Sequence, residues 1–279
     1  MKQITKPFYK QIPLWTYLAA GGLVLFGVLT AIMVGFIGEP EPAPEPTETT
    51  ALPSFLVENP YSGESFAMDG EFLTCTAGES VLGIDVSYWQ GDIDWEQVKS
   101  AGIEYVMLRI GWRGSEMGLM FPDDNIKVNY EGAKAAGLKV GGYFFSQAVS
   151  TQEAIEEAEF VLDIIKDWEL DFPVAFDWEY LTAEDRTGAV SGQTQTSCAV
   201  AFCETIRQAG FQPMVYFNPD HAVNRLDLER LTPYGFWLAL YHDQLDFPYR
   251  VDMWQYTSTG TVPGIQGKVD INLMFSYES

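Results

Sequence analysis

From Val81 onward, short apolar runs alternate with amphipathic stretches, and this alternation constrains the fold of the 279-residue chain more than any other feature. Eight apolar runs have the length and composition of buried strands: Leu82–Val86, Tyr105–Ile110, Lys139–Phe145, Pro173–Phe176, Pro213–Phe217, Phe236–Leu240, Met253–Tyr256 and Val269–Ile271. Four stretches between the early runs have helical periodicity: Trp95–Ala101, Asn125–Ala136, Thr151–Asp167 and Thr194–Ala209. Strands that alternate with helices predict a parallel α/β sheet, and eight of them in about 200 residues predict a closed barrel. Helical patterns become sparse after residue 210, which predicts an irregular second half.

The N-terminal segment has the pattern of a membrane anchor. Residues 14–38 are almost wholly apolar, and a helix of 25 residues is about 37 Å long, enough to cross a hydrocarbon core of about 30 Å. Lys2, Lys6 and Lys10 precede this run without any acidic residue, so the positive-inside rule places residues 1–13 in the cytoplasm and the rest of the chain outside. A cleaved signal peptide is the alternative. The apolar run is longer than an ordinary signal-peptide core and lacks an A-x-A site, which favours a single-pass anchor in the cell membrane.

A spacer follows the predicted anchor. Residues 39–60 begin with alternating Glu and Pro and continue with Thr, a composition that favours an extended, self-repelling chain. Residues 61–80 show no clear periodicity, so we interpret them as an irregular lead-in to the barrel domain at residues 81–279. The spacer would hold that domain away from the bilayer.

Charge and residue counts exclude several classes of function. The net charge is −23, and the part after residue 38 carries 13 basic and 39 acidic residues. Such a surface is unsuited to nucleic acid and is repelled by anionic lipids. Two histidines cannot build a zinc site that depends mainly on imidazole, and three cysteines argue against a disulfide framework. We therefore predict no metal, no cofactor and no protein partner.

Four acidic residues fall at the ends of predicted strands: Asp85, Asp177, Glu179 and Asp270. In a closed barrel the first and last strands are neighbours, so Asp85 and Asp270 should lie side by side. Asp177 and Glu179 are two apart on an extended chain and point the same way. Carboxylates that converge on one barrel mouth repel each other, which raises the pKa of the most enclosed one, as a general acid requires. An isolated acid at a strand end is more often a cap or turn residue; that reading is weaker for Asp177 and Glu179, which lie among three aromatics.

Aromatic residues occur at the same strand ends. Sugar rings pack on aromatic faces and their hydroxyls need polar partners, so the set predicts a groove for a sugar chain, although core packing is the commoner role of any single member. The set comprises Tyr88, Trp89, Tyr143, Phe145, Tyr216, Tyr241, Trp254 and Tyr256, with Asn218, Gln255 and Asn272 as polar partners.

These motifs resemble the lysozymes of glycoside hydrolase family 25. The resemblance rests on Gly83-Ile84-Asp85-Val86-Ser87 with Trp89-Gln90-Gly91, on Asp177-Trp178-Glu179, and on Trp254-Gln255-Tyr256-Thr257 leading to Val269-Asp270-Ile271-Asn272. It covers about residues 81 to 277, with the motifs in the expected order. It implies an irregular TIM-like (β/α)5β3 barrel and hydrolysis of the β-1,4 bond between N-acetylmuramic acid and N-acetylglucosamine in peptidoglycan.

The resemblance also implies roles for individual residues. Glu179 matches the general acid/base, Asp177 the partner that orients the 2-acetamido group or stabilises the transition state, and Asp85 and Asp270 the remaining acids of the mouth. Four residues match substrate contacts: Tyr143, Tyr216, Trp254 and Gln255. The string Tyr143-Phe144-Phe145 departs from a common Tyr-His-Phe, which predicts the loss of a polar contact.

Two other functions fit the residues. A non-catalytic barrel could hold cell-wall glycans, and loss of one of the four acids would favour it; all four are present. A hydrolase of another β-1,4-linked N-acetylglucosamine polymer would use the same residues, and only a comparison of substrates separates it.

Overall fold

A closed eight-stranded barrel dominates residues 56–276, the part of the chain that the computed structural model describes. The strands are β1 Phe66–Asp69, β2 Phe72–Cys75, β3 Glu79–Val86, β4 Tyr105–Arg113, β5 Met120–Pro122, β6 Lys139–Ser146, β7 Val174–Trp178, β8 Pro213–Phe217, β9 Gly235–Ala239, β10 Met253–Gly260 and β11 Val269–Ser276. The helices are α1 Trp95–Ser100, α2 Ile126–Ala135, α3 Thr151–Ile165, α4 Gly192–Gln208, α5 Pro219–Asn224 and α6 Leu228–Leu231.

The barrel order is β3-β4-β6-β7-β8-β9-β10-β11, and β11 closes it against β3. Neighbouring strands are parallel from β3 to β10, whereas β11 is antiparallel to both β10 and β3. Helices cover the connections as far as β9, and no helix lies between β9 and β11. The expected mixed α/β barrel with an irregular second half is confirmed.

Local sequence explains where the main helices begin and end. The side chains of Asp94, Ser150 and Ser191 each accept a hydrogen bond from a main-chain N–H in the first turn of α1, α3 and α4. Gly137 follows α2 with a φ of 76°, a left-handed conformation that ends the helix and returns the chain to β6. The four predicted helices are present, within two residues of their expected bounds.

The region 61–80 is not the irregular lead-in that its sequence suggested. It contains the antiparallel hairpin of β1 and β2. The ring of Phe66 packs at 5.0 Å from that of Trp254, and the N–H of Leu73 donates to the hydroxyl of Tyr256 at 3.3 Å. Three of the four residues of β1 are exposed, so the strand has no apolar alternation that would reveal it.

Two apolar regions lie on opposite sides of the barrel wall. One lies between the sheet and the helices; the other fills the barrel interior and contains Tyr105, Met107, Ala175, Met214, Trp237 and Met253. A Cβ atom at position 83 would lie 2.2 Å from the Tyr105 ring, so the glycine at this position leaves the space that the ring occupies inside the barrel. Acidic and amide side chains replace apolar ones at the carboxyl ends of the parallel strands, which form the mouth of the barrel.

The predicted cytoplasmic segment 1–13 and anchor 14–38 lie outside the described residues, as does the spacer as far as residue 55. Between residues 56 and 276, no helix combines the length and the apolar character needed to cross a membrane.

Candidate active site

Asp85 and Asp270 are direct partners across the β3–β11 pair, as strand closure predicted. Because β11 runs antiparallel, its first residues lie at the barrel mouth beside the last residues of β3. Oδ2 of Asp85 accepts hydrogen bonds from Nε2 of Gln255 and Nδ2 of Asn272, both at 2.8 Å. Burial raises the pKa of Asp85 to about 6, and burial together with the charge of Asp85 raises the pKa of Asp270 to about 8.

Gln255 and Asn272, whose amides donate to Asp85, are oriented by further hydrogen bonds. Oε1 of Gln255 accepts from the hydroxyls of Tyr216 at 2.9 Å and Tyr241 at 3.2 Å. Oδ1 of Asn272 accepts from the indole N–H of Trp237 at 2.8 Å. Each amide oxygen thus faces a donor and each amide nitrogen faces Asp85, so the network fixes the position of this carboxylate.

Asp177 and Glu179 form the second acidic pair. Asp177 points into the mouth from β7, and Glu179 follows the last residue of that strand. The two carboxyl groups are hydrogen-bonded to each other, and Oδ1 of Asp177 is buried without a further partner among residues 56–276. Burial raises the pKa of both groups, and the charge of Glu179 raises that of Asp177 further. Joint ionisation of two buried carboxyls in contact is unfavourable, so the pair favours a state with one proton.

A cation lies beside the acids. The guanidinium of Arg109 pairs with Asp123 through Nε at 2.9 Å and Nη2 at 2.8 Å, and stacks 5.0 Å from the ring centre of Tyr88. Its charge opposes the rise in the pKa of Asp177. Arg109 thus places a positive charge beside the acids that offsets part of the negative field of the mouth.

Three of the four predicted substrate contacts face the mouth. Tyr143 and Tyr216 stand edge-on to Trp237 in the barrel, with ring centres 5.9 and 5.0 Å away. Gln255 points inward to Asp85. Trp254 does not face the mouth: it is fully buried against Phe66, and its indole N–H donates to the carbonyl of Leu240 at 2.8 Å. Adjacent residues of a strand face opposite sides, so an inward Gln255 requires an outward Trp254.

The departure at Phe144 also falls on the outer side of the sheet. Phe144 is fully buried and packs against Phe160 of α3, with ring centres 6.1 Å apart. The departure from the common string therefore lies in the core between the sheet and the helices and not at the mouth.

Glu179 opens onto a pocket of about 260 Å³ at the carboxyl ends of β7 to β9. Aromatic and polar side chains line it, among them Trp178, Tyr180, Tyr216, Asn218, His221 and Tyr241. Burial lowers the pKa of His221, which leaves its ring neutral. A concave wall of aromatic faces with an amide and a neutral imidazole is suited to an uncharged polyhydroxyl ligand.

Trp89 marks the opposite side of the rim, next to β3. Its side chain is 71% exposed and stacks on Tyr88, with ring centres 4.4 Å apart. The 3-10 turn that carries both residues is fixed at each end: Ser87 and Gln90 cap it reciprocally, and Nε2 of Gln90 donates to the carbonyl of Lys268 at 3.3 Å. The indole is therefore presented to solvent on a rigid support.

The sequence analysis did not single out several residues of the mouth. Arg109 is a charge within an apolar run, and that contrast could have identified it. Trp237 lies in an unbroken apolar strand that does not show which side faces inward. Residues 56–276 contain no group of three His, Cys, Asp or Glu side chains that could hold a metal ion. The mouth combines a proton-sharing carboxyl pair, a fixed carboxylate and aromatic walls, an arrangement that can carry out acid–base chemistry on a sugar.

The sequence profile of Glycosyl hydrolases family 25 matches residues 84–265. The autolytic lysozyme of Clostridium acetobutylicum is 28% identical over 193 residues, which cover 68% of this chain and 54% of that protein. The structure of the modular autolysin LytC from Streptococcus pneumoniae aligns with a TM-score of 0.62 and 26% identity over 71% of this chain and 47% of LytC. A bacterial lysozyme from Streptomyces coelicolor aligns with a TM-score of 0.60 and 26% identity over 73% of this chain and 94% of that protein. The chain thus spans about half the length of the first two relatives and nearly all of the third.

Proposed function

The chain belongs to glycosyl hydrolases family 25, and on that premise we propose that it is a lysozyme that hydrolyses the β-1,4 bond between N-acetylmuramic acid and N-acetylglucosamine in peptidoglycan. The observation that carries the proposal is the hydrogen-bonded pair of Asp177 and Glu179 in a mouth that also holds Asp85 and Asp270. The relatives from Clostridium acetobutylicum and Streptomyces globisporus are named lysozymes, which supports the same activity.

Glu179 is the general acid/base in this proposal. Burial and the charge of Asp85 raise the pKa of Glu179, which favours the protonated form that can donate to the glycosidic oxygen as the bond to the sugar breaks. Asp177 orients the 2-acetamido group, whose oxygen attacks the anomeric carbon, an arrangement outside the usual two-carboxylate scheme. Glu179, now ionised, then takes a proton from water. The water oxygen bonds to the anomeric carbon, the acetamido group is released and the configuration is retained.

Asp85 and Asp270 act around this pair. The ionised Asp85, held by Gln255 and Asn272, places a fixed negative charge where the positive charge of the transition state develops. The same charge raises the pKa of Asp270 and that of Glu179. Tyr143, Tyr216 and Gln255 are the proposed substrate contacts, with no metal or cofactor involved.

The glycan strand crosses the mouth from the pocket beside Glu179 to Trp89. β3 and β8 stand four strands apart in a barrel of eight, so the two sites lie on opposite sides of the rim. Glu179 lines the pocket and Asp85 lies near the end of the strand that leads to Trp89, so the acids connect the two sites and support a polymeric glycan as the substrate. The solved structure of LytC in complex with a synthetic peptidoglycan ligand supports peptidoglycan as the class of partner.

The site of action in this proposal is outside the cell, with residues 14–38 as a single-pass anchor in the cell membrane. The uncharged apolar run and the three preceding lysines support it. Cell fractionation with protease treatment of intact cells tests it. Recovery in the membrane fraction together with loss of residues 56–276 to external protease is expected, and recovery in the cytosol would contradict it.

Product analysis tests the activity. The full chain, purified in detergent, is incubated with purified peptidoglycan, and the fragments are reduced with borohydride and examined by mass spectrometry. Reduced muramic acid ends are expected from the wild type and from Glu159→Gln, which changes an exposed glutamate of α3. Glu179→Gln should lose at least about 100-fold in rate while remaining folded.

Other outcomes would replace the proposal. Reduced glucosamine ends would indicate another bond, and faster cleavage of chitin would indicate another N-acetylglucosamine polymer. Glycan binding by a folded wild type without cleavage would indicate a non-catalytic barrel.

A further inference from the structure

We propose that Gln147 is a positioning residue for Glu179, whose role as the acid/base is the proposed function on which this inference rests. Gln147 is the first residue after β6, and Glu179 is the first after the neighbouring strand β7. Nε2 of Gln147 donates to the main-chain carbonyl of Glu179 at 2.8 Å and to that of Ser146 at 3.0 Å. The amide therefore ties the main chain that carries the acid to the end of the adjacent strand.

Every polar atom of Gln147 has a partner. Oε1 accepts from the hydroxyl of Thr187 at 3.2 Å, the main-chain N–H donates to Glu157, and the main-chain carbonyl accepts from Arg186 at 2.9 Å. The residue has no exposed surface. Because Nε2 faces two carbonyls and Oε1 faces a hydroxyl donor, only one orientation of the amide satisfies all these bonds. The position of the Glu179 carbonyl is thus specified by a side chain that cannot turn.

A buried ion pair supports the segment that carries Gln147. Oε1 of Glu157 accepts from Nε of Arg113, and Oε2 accepts from the hydroxyl of Ser146, both at 2.6 Å. Glu157 belongs to α3 and Arg113 ends β4, so a helix and two strands meet at this point. The indole N–H of Trp178 adds a second link between the ends of β6 and β7, since it donates to the carbonyl of Ala148 at 2.9 Å.

Glu179 needs such support because it lies beyond the last residue of β7. A general acid must hold its carboxyl within about 0.5 Å of the productive position, and a displacement of about 1 Å can cost about 100-fold in rate. The amide of Gln147 acts on the main chain and does not touch the reacting carboxyl. The titratable groups that face that carboxyl are Asp177, Asp85, Asp270, Tyr216 and Tyr241, and the replacement of Gln147 changes none of these residues.

The test replaces Gln147 by Met, which keeps the volume and removes both amide functions. We expect kcat to fall about 10- to 100-fold, while KM for peptidoglycan changes by less than about twofold. The carboxyl should also move toward solvent, which lowers its pKa. A general acid works only while protonated, so the alkaline limb of kcat/KM should shift to lower pH. A purely structural role of Gln147 would lower the melting temperature without moving this limb.

Two threonine variants supply a matched comparison. Thr187→Val removes the donor to Gln147, and Thr196→Val removes an equally buried hydroxyl that donates to Gly192 within α4. Thr187→Val should lower kcat and shift the alkaline limb in the same direction as Gln147→Met, to a smaller degree. Thr196→Val should leave both unchanged. If Gln147→Met does not fold, the threonine pair decides, and identical profiles for its two members would overturn the inference.

The design separates this inference from the proposed function. Cleavage by the wild type and its loss in Glu179→Gln support the function, and a Gln147→Met enzyme with wild-type kcat and alkaline limb then overturns only the role of Gln147. If the wild type does not cleave, the proposed function fails. In that case the pKa of the Glu179 carboxyl is measured by carbon-13 NMR in the wild type and in Gln147→Met. The same pKa in both proteins overturns the positioning role.

Discussion

The carboxyl groups of Asp177 and Glu179 are hydrogen-bonded to each other inside the barrel mouth, and such a bond exists only while one of the two holds a proton. Ionisation of both would leave two charges in contact in a buried site. Repulsion between the two carboxylates therefore favours retention of the proton that the proposed reaction requires. The same repulsion makes this site unfavourable for folding.

Replacing either member of this pair by its amide should stabilise the protein and reduce its activity. In Glu179→Gln and Asp177→Asn the amide donates to the remaining carboxylate, so neither repulsion nor a captured proton is needed. We expect the melting temperature at pH 7.5 to rise by about 2–4 °C for each kcal/mol gained. Calorimetry of the two variants beside Glu159→Gln checks this. Lower melting temperatures in both variants would contradict the shared-proton description.

Asp270 should make stability depend on pH. Its pKa is raised from 3.8 to about 8, so the folded state binds this proton more tightly than the unfolded chain does. The stability associated with the group is fully present below about pH 4 and is lost as pH rises through about 8. The melting temperature of Asp270→Asn should therefore exceed that of the wild type by more at pH 9 than at pH 5. Asp163→Asn, an exposed change in α3, should show no such trend.

Trp89 should matter for long substrates only. Trp89→Ala removes the exposed indole and leaves the acids untouched, so we expect KM for polymeric glycan to rise about 2- to 10-fold, in the range of one lost aromatic stacking contact. Hydrolysis of short oligosaccharides that do not reach the rim should be unchanged. Trp168→Ala removes an indole stacked on Tyr130, away from the mouth, and serves as the control. Equal losses on long and short substrates would contradict the proposed path of the glycan.

Replacing only Arg113 of the Arg113–Glu157 ion pair should lower the free energy of unfolding more than replacing both residues. Arg113→Met leaves the buried Glu157 without its cation and should cost about 3–5 kcal/mol of unfolding free energy. The double variant Arg113→Met with Glu157→Gln should recover a large part of that loss. Urea unfolding of the two single variants and the double variant measures the coupling. Additive losses would contradict it.

The main strands and helices were predictable because each carries a strong local signal. The β1–β2 hairpin and the pairing of β5 with β4 were not predictable. The long helices repeat their apolar residues on one face, and the barrel strands are continuous apolar runs that need no partner to be identified. β1 and β5 are short and largely exposed, so their pairing depends on neighbours that the local sequence does not reveal.

The acidic residues of the mouth were predictable from topology, and their support was not. Closure of the barrel makes Asp85 and Asp270 neighbours whatever their side chains. The assignment of Trp254 to the mouth followed from the family resemblance. The inward Gln255 next to it excludes that assignment, because adjacent residues of a strand face opposite sides. Gln147 and Thr187 are 40 residues apart in connections between elements, and nothing local indicates that they meet.

Closure of the barrel between β3 and β11 also determines when the acidic mouth is completed during biosynthesis. Asp85 and Asn272 are 187 residues apart, so the first acid of the mouth acquires its amide partner only after nearly the whole barrel has been synthesised. Contacts of such sequence separation form late in folding. A chain still emerging from the ribosome, or one that has lost β11 to a protease, lacks Asp270 and Asn272 together. Completion of the last strand is thus the step that gives the mouth its full set of acids and amides.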